Sequence, residues 1–161
     1  MSKKTKAPVE VGDILSKTLS KADATVCDRE FEGIRAKYGT LTPKLVEVAA
    51  RSKRSPLHKH FEWNNSEAAA RFRLAQASAL IREVQITITV NDALVNTRKW
   101  VSISASTGRS YQPVMEVLAN APNRQQLLAQ ALNELRAFKK KYAILRQLAA
   151  VFEQIDAALQ D

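Results

Sequence analysis

The sequence predicts a mostly helical α+β protein. A winged-helix-like trihelical unit carries a two-stranded antiparallel hairpin, and a long C-terminal helix or helical hairpin follows. Three observations support this. Cap-and-proline signals at Thr42-Pro43 and Ser55-Pro56, then a polar break at Asn64-Asn65-Ser66, mark three helices in succession. Two stretches, VQITITV at 84–90 and KWVSISA at 99–105, alternate in the manner of half-buried strands. From Asn123 to Asp161, 39 residues contain neither Gly nor Pro. The expected division is a disordered basic arm at 1–10, a winged-helix-like core at 11–121, and a helical dimerisation or bracing element at 122–161.

Taken in order, residues 1–9 (MSKKTKAPV) have three Lys, one Pro and little to bury, hence the disordered arm. Gly12 to Leu19 predicts a short helix. Asp23 to Tyr38 predicts a second, with Val26, Phe31, Ile34 and Tyr38 near helical spacing and Gly39 as its stop. Thr42 caps a helix to about Arg51, and Ser55 caps a short one to about Trp63. Asn64 and Glu67 have capping-box spacing before a helix over 66–83, although Asn65 or Ser66 also suits the cap. Its expected buried stripe is Phe72, Ala75, Ala79 and Leu80, leaving Arg71, Arg73, Gln76 and Ser78 toward solvent. Asn91-Asp92 is a turn signal between the two strands, which are expected to pair with each other. Pro113 opens a short helix through Leu118. Beyond Pro122, Ala131, Leu135, Phe138, Tyr142, Leu145, Ala149 and Phe152 alternate in steps of four and three, a heptad-like seam. Unbroken, that helix spans roughly 58 Å; a break near Arg146 makes it a hairpin.

Composition limits the function. The 161 residues are 45% hydrophobic, and 25 Lys and Arg against 16 acids give a formal charge of +9. Such a surface attracts polyanions at long range. No apolar run reaches the length of a membrane span, and no basic stretch has the apolar opposite face of a membrane-surface helix. The lone Cys27 fits a reducing cytoplasm. Catalytic signatures are missing. His58 and His60, two apart on a helix, diverge and make a poor metal pair. Cys27 has no signature of a nucleophilic thiol, and Thr107-Gly108-Arg109-Ser110 lacks the Lys of a phosphate-cradling loop. No enzyme activity, metal or cofactor is expected.

The positive charge falls into groups: Lys44, Arg51, Lys53, Arg54 and Lys59; Arg71, Arg73 and Arg82; and Arg136, Lys139, Lys140, Lys141 and Arg146. Arg98, Lys99 and Arg109 flank the strands. In a helix-turn-helix the last helix enters the major groove with its first turns, which places Asn64, Asn65, Arg71 and Arg73 near base edges, where Asn suits adenine and Arg suits guanine. Arg51, Lys53, Arg54 and Lys59 then meet phosphates, which position the protein without reading sequence. Arg98 and Lys99 belong to the wing, and Lys139 and Lys140 form an accessory contact. The plain alternative is that Arg71, Arg73 and Arg82 only solvate a packed helix, and that Trp63 and Trp100 are core residues.

The words SPLHKHFEW, RFRLAQASALIREV, KWVSIS, YQPVMEVL and LNELRAFKKKYAIL, in this order over roughly 41–152, resemble a family of uncharacterised proteins of tailed phages and prophages. The resemblance implies a phage-encoded protein in a bacterial cytoplasm and assigns no site residues. The resulting expectation is a non-enzymatic DNA-binding protein, acting in transcription regulation or DNA metabolism, with double-stranded DNA as partner and a homodimer through residues 122–161. The rival expectation is a protein-interaction module, such as an inhibitor of a host protein, acting through the C-terminal helix.

Overall fold

The computed structural model describes residues 19–63, 67–105 and 108–160. The expected arm at 1–10, the short helix from Gly12 and the caps at Asn64, Asn65 and Ser66 lie outside them. The chain is mostly helical α+β and divides into two compact units between Val114 and Met115.

The first unit begins with α1 (Lys21–Tyr38) and α2 (Pro43–Ala50). Ser20 caps α1 by accepting the Asp23 N–H at 3.1 Å. Gly39 ends α1 at φ 72°, its N–H bonded to Arg35 O at 2.8 Å, the left-handed stop that glycine adopts at least cost. Thr42 caps α2 through the Leu45 N–H at 3.2 Å, and Pro43 occupies the first turn. Both boundaries follow the sequence signals.

The short helix expected over 55–63 is instead one 3-10 turn, His58–His60. A continuing helix would send the Glu62 N–H to His58 O. Here Glu62 N–H donates to Gln76 Oε1 at 3.1 Å, and His58 O accepts the Trp63 indole N–H at 2.9 Å. Side chains have taken both groups, so the chain leaves the turn extended at Phe61.

Helix α3 (Glu67–Glu83) packs against α1 and α2. Its buried stripe is Ala69, Gln76, Ala77, Leu80 and Ile81, continued by Val84. The expected stripe through Phe72, Ala75 and Ala79 is thus rotated; Ala75 is exposed. The rotation turns inward two residues expected outside, Arg73 toward Glu47 on α2 and Gln76 toward the Glu62 N–H beyond the 3-10 turn. The core joins Cys27, Phe31, Val46, Leu57, Ile81 and Trp100.

The strands also pair differently from expectation. β1 (Gln85–Val90) pairs with β2 (Ala93–Arg98), and β3 (Trp100–Ala105) pairs with β4 (Gly108–Pro113), giving two separate antiparallel hairpins. Asn91 and Asp92, at φ 48° and 63°, form the two-residue turn between β1 and β2, which suits a tight hairpin and brings the chain straight back. The β3–β4 hairpin is anchored by buried Trp100 and Ile103 and by an isolated bridge from Leu41 to Tyr111. In the β1–β2 hairpin no residue is buried.

The second unit contains most of α4 (Val114–Ala119), then α5 (Ala121–Tyr142) and α6 (Ala149–Ala158). Asn120 caps α5 through the Asn123 N–H at 3.0 Å. The long segment is therefore two helices, broken at 143–148 by a turn in which Leu145 is extended and Arg146–Leu148 is 3-10. The seam closes within the hairpin: Phe138 meets Tyr142 and Phe152 with ring centroids 5.0 and 6.4 Å apart. Among the described residues of this unit only Val117 and Ile155 are buried.

Candidate nucleic-acid interface

Glu47 organises the basic face. It lies on α2 with a side chain only 3% exposed, between Lys44 one turn before it and Arg51 one turn after it. Arg51 grips it with two hydrogen bonds, Nε to Oε1 at 3.1 Å and a terminal nitrogen to Oε2 at 3.2 Å. Arg73 reaches the same carboxylate from α3, Nε to Oε1 at 3.2 Å, and Lys44 Nζ stands 3.5 Å from Oε2. Burial pushes this carboxyl up, but the hydrogen bonds from Arg51 and Arg73 outweigh it and hold the group below the usual range. Three cations on one acid leave the cluster with excess positive charge. Arg73 is 13% exposed, whereas Lys44 and Arg51 are 65% and 57% exposed. Two cations therefore face water while their anchor does not.

The neighbouring turn is locked to the same place. His58 Nδ1 donates to Ala50 O at 2.9 Å, capping the end of α2. The His58 ring stacks on Trp63 at 4.7 Å and 7°, and the Arg73 guanidinium lies 5.4 Å from the Trp63 centroid. Trp63 packs against the core and its ring is already engaged. These contacts fix the backbone that carries Lys53 and Arg54. Both are exposed and, among the described residues, have no ion pair.

The other predicted site residues divide. Arg71 is exposed on α3 without an ion pair among the described residues. Arg73 is turned inward onto Glu47 and Trp63, so it is a structural link and not a group reaching for a base edge. Lys59 is paired with Asp23 on α1, whose carboxyl is held low by hydrogen bonds from Lys59 and Ser20. Asn64 and Asn65 lie outside the described residues. Lys139 is paired with Asp156 across the C-terminal hairpin, at 2.5 and 2.6 Å, while Lys140 is exposed.

The expected wing has little charge to offer. Over Gln85–Arg98 the only charged residues are Asp92 in the turn and Arg98 at the foot. An acid at the tip repels phosphate. Lys99 points inward: its Nζ lies 2.8 Å from Asp28 Oδ2 and 3.0 Å from Glu32 Oε1, and Asp28 also accepts the Trp100 indole N–H at 3.0 Å. Burial lowers the affinity of Lys99 for its proton, but bonds to Asp28 and Glu32 more than restore it, so its pKa rises. Trp100 is fully buried, edge-on to Phe31 at 6.3 Å.

Sequence reasoning missed Glu47. Its signal was present: a carboxylate with cations three before and four after it on one helix face. Among the described residues no group of three His, Cys, Asp or Glu is placed to hold a metal ion, and no helix is long and apolar enough to cross a membrane. Compared with protein-family models, curated proteins and solved structures, the chain has no match.

Proposed function

We propose that the first unit binds nucleic acid by its phosphate backbone, double-stranded DNA before other forms, and performs no chemistry on it. The observation that carries this reading is the convergence of Lys44, Arg51 and Arg73 on the single buried Glu47, with exposed Lys53 and Arg54 immediately after Arg51. Lys44, Arg51, Lys53 and Arg54 are the phosphate-contacting groups. Arg71 is the one predicted α3 cation left for a groove edge. The β3–β4 hairpin, with Arg109 beside its turn, serves as the wing in place of β1–β2. The setting is the one the resemblance implies: a phage-encoded protein in a bacterial cytoplasm, regulating transcription or assisting DNA metabolism.

Fluorescence anisotropy with a labelled duplex at several salt concentrations tests the reading. Each phosphate contact contributes a slope of roughly −0.9 in log affinity against log salt. Replacing Lys53 and Arg54 by Ala is expected to flatten the slope by about 2. Absence of binding at low salt overturns the proposal, and so does a slope that the double replacement leaves unchanged.

A further inference from the structure

We propose that the second unit is a homodimerisation element, in which the apolar side of α5 and α6 packs against the same surface of a second copy of this chain. The inference is independent of the nucleic-acid reading.

The first argument is the size of the core. Among its described residues this unit buries Val117 and Ile155 alone, and not one of the 22 residues of α5 is buried. Helical stability in proteins comes mainly from burying an apolar face, because propensity alone is marginal. Folded pieces below about 40 residues usually need a disulfide, a metal or oligomerisation, and this unit of residues 115–161 is only slightly longer. The lone Cys27 leaves no intrachain disulfide, and no metal-binding cluster exists among the described residues.

The second argument is what remains uncovered. Leu128 on α5 is 58% exposed, Val151 on α6 is 47% exposed, and Ile144 and Leu145 between the helices are exposed as well. Leu128 stands seven residues before Leu135 and three before Ala131, so it extends the heptad-like seam toward the start of α5. Phe138 closes on Phe152 inside the hairpin, yet keeps 38% of its surface open. The Lys139–Asp156 pair and the Phe138–Phe152 contact hold α5 against α6.

The third argument is charge, and it selects the occupant. Residues 1–114 hold 19 of the 25 Lys and Arg and 11 of the 16 acids; residues 115–161 hold the remaining 6 and 5. Nearly all of the +9 excess therefore lies in the first unit. Two first units repel each other, whereas two second units meet almost neutral. An identical partner suits such a surface, and the common symmetric pairing uses one patch twice. Two helical hairpins joined in this way form a four-helix bundle.

Size-exclusion chromatography with light scattering, on the nuclease-treated full chain without DNA, tests this. The expected mass is twice 17.9 kDa, falling toward one copy over about a hundredfold dilution. Leu128→Glu and Val151→Glu, separately and together, should weaken association at least about tenfold with helix content by circular dichroism retained. Should those variants unfold, hydrogen exchange of the unmodified chain decides: protection over 121–142 must rise with concentration. A monomer throughout the range overturns the proposal, including one that binds a different protein through this surface. A dimer unaffected by either Glu replacement, or protection rising only outside 121–142, overturns it equally.

Discussion

Two ionic clusters tie the first unit together, and they are opposite in composition. At Glu47 one buried acid is surrounded by Lys44, Arg51 and Arg73; at Lys99 one cation is surrounded by Asp28 and Glu32. The first bridges α2 to α3, and the second bridges α1 to the start of β3. Both satisfy charges taken from water, which is the condition for burying them at all. They differ in what is left over. The Glu47 cluster exports positive charge through two well-exposed side chains, whereas the Lys99 cluster exports the half-exposed acid Glu32. A basic residue near a strand and a basic residue on a helix look alike in sequence, but only the outnumbered acid makes a cationic face.

The sharpest way to break this comparison is to neutralise Glu47. Glu47→Gln leaves Arg73 largely buried beside an uncharged amide, and loss of one member of a buried pair costs about 3 kcal/mol. Urea unfolding should show it as a lower midpoint with an unchanged slope. The two clusters also respond to pH in opposite directions. The Glu47 carboxyl is lowered in the fold, so its contribution is complete above the ordinary value of 4.5 and disappears as pH falls through the folded value. The Lys99 ammonium is raised, so its contribution is complete below the ordinary value of 10.5 and disappears as pH climbs through the folded value. Loss of the Glu47 charge in acid should loosen the α2–α3 link, and loss of the Lys99 charge in alkali should loosen the α1–β3 link. A Glu47→Gln protein whose stability below about pH 4 still falls as steeply as the parent's would refute the assignment.

Next in size is the effect on DNA. Lys53→Ala with Arg54→Ala should weaken duplex binding roughly tenfold at low salt with no change in urea midpoint, since both side chains are exposed. Lys99→Met removes as formal a charge but should leave the salt slope untouched. Its cost is in stability, about 1–2 kcal/mol, because Trp100 still donates to Asp28 and Glu32 still reaches water. Cys27 reports whether that loosening reaches α1. Its thiol is fully buried and burial pushes its pKa to about 11, so it should react with a thiol reagent slowly in the parent protein and faster in Lys99→Met.

Local signals were read correctly where local chemistry decides. Gly39, Thr42-Pro43 and Pro122 set helix ends through their own backbone requirements, and the structure places the ends there. The stripe on α3 was misread because its many alanines fit either side of a helix equally well. Leu80 is buried as expected, but only the tertiary contacts reveal that Ala69, Arg73 and Gln76 face inward, Arg73 onto Glu47 and Gln76 onto the Glu62 N–H. Strand pairing failed for a related reason. ALVNTR and GRSYQP have little alternation, so alternation alone selects the two stronger strands as partners. The break after Tyr142 has no Gly or Pro to announce it. The ion pairs were beyond reach: Arg73 meets Glu47 across 26 residues and Lys99 meets Asp28 across 71. Charge in a sequence is a count, and its usefulness depends on neighbours that arrive by folding.

The smallest predicted effect adds a cation instead of deleting one. Lys59 lies on the 3-10 turn that follows Arg54 by a few residues, but Asp23 on α1 neutralises it. Asp23→Asn removes the opposing charge and leaves the Lys59 ammonium in place. If the turn from Arg51 to Lys59 faces phosphate, duplex affinity at low salt should rise about twofold and the salt slope should steepen slightly. The pair is exposed, so the urea midpoint should not move. Unchanged affinity in Asp23→Asn, together with weakened binding in the Lys53 and Arg54 double variant, would place the edge of the interface between Arg54 and Lys59. The Glu47 cluster would then serve DNA without help from α1.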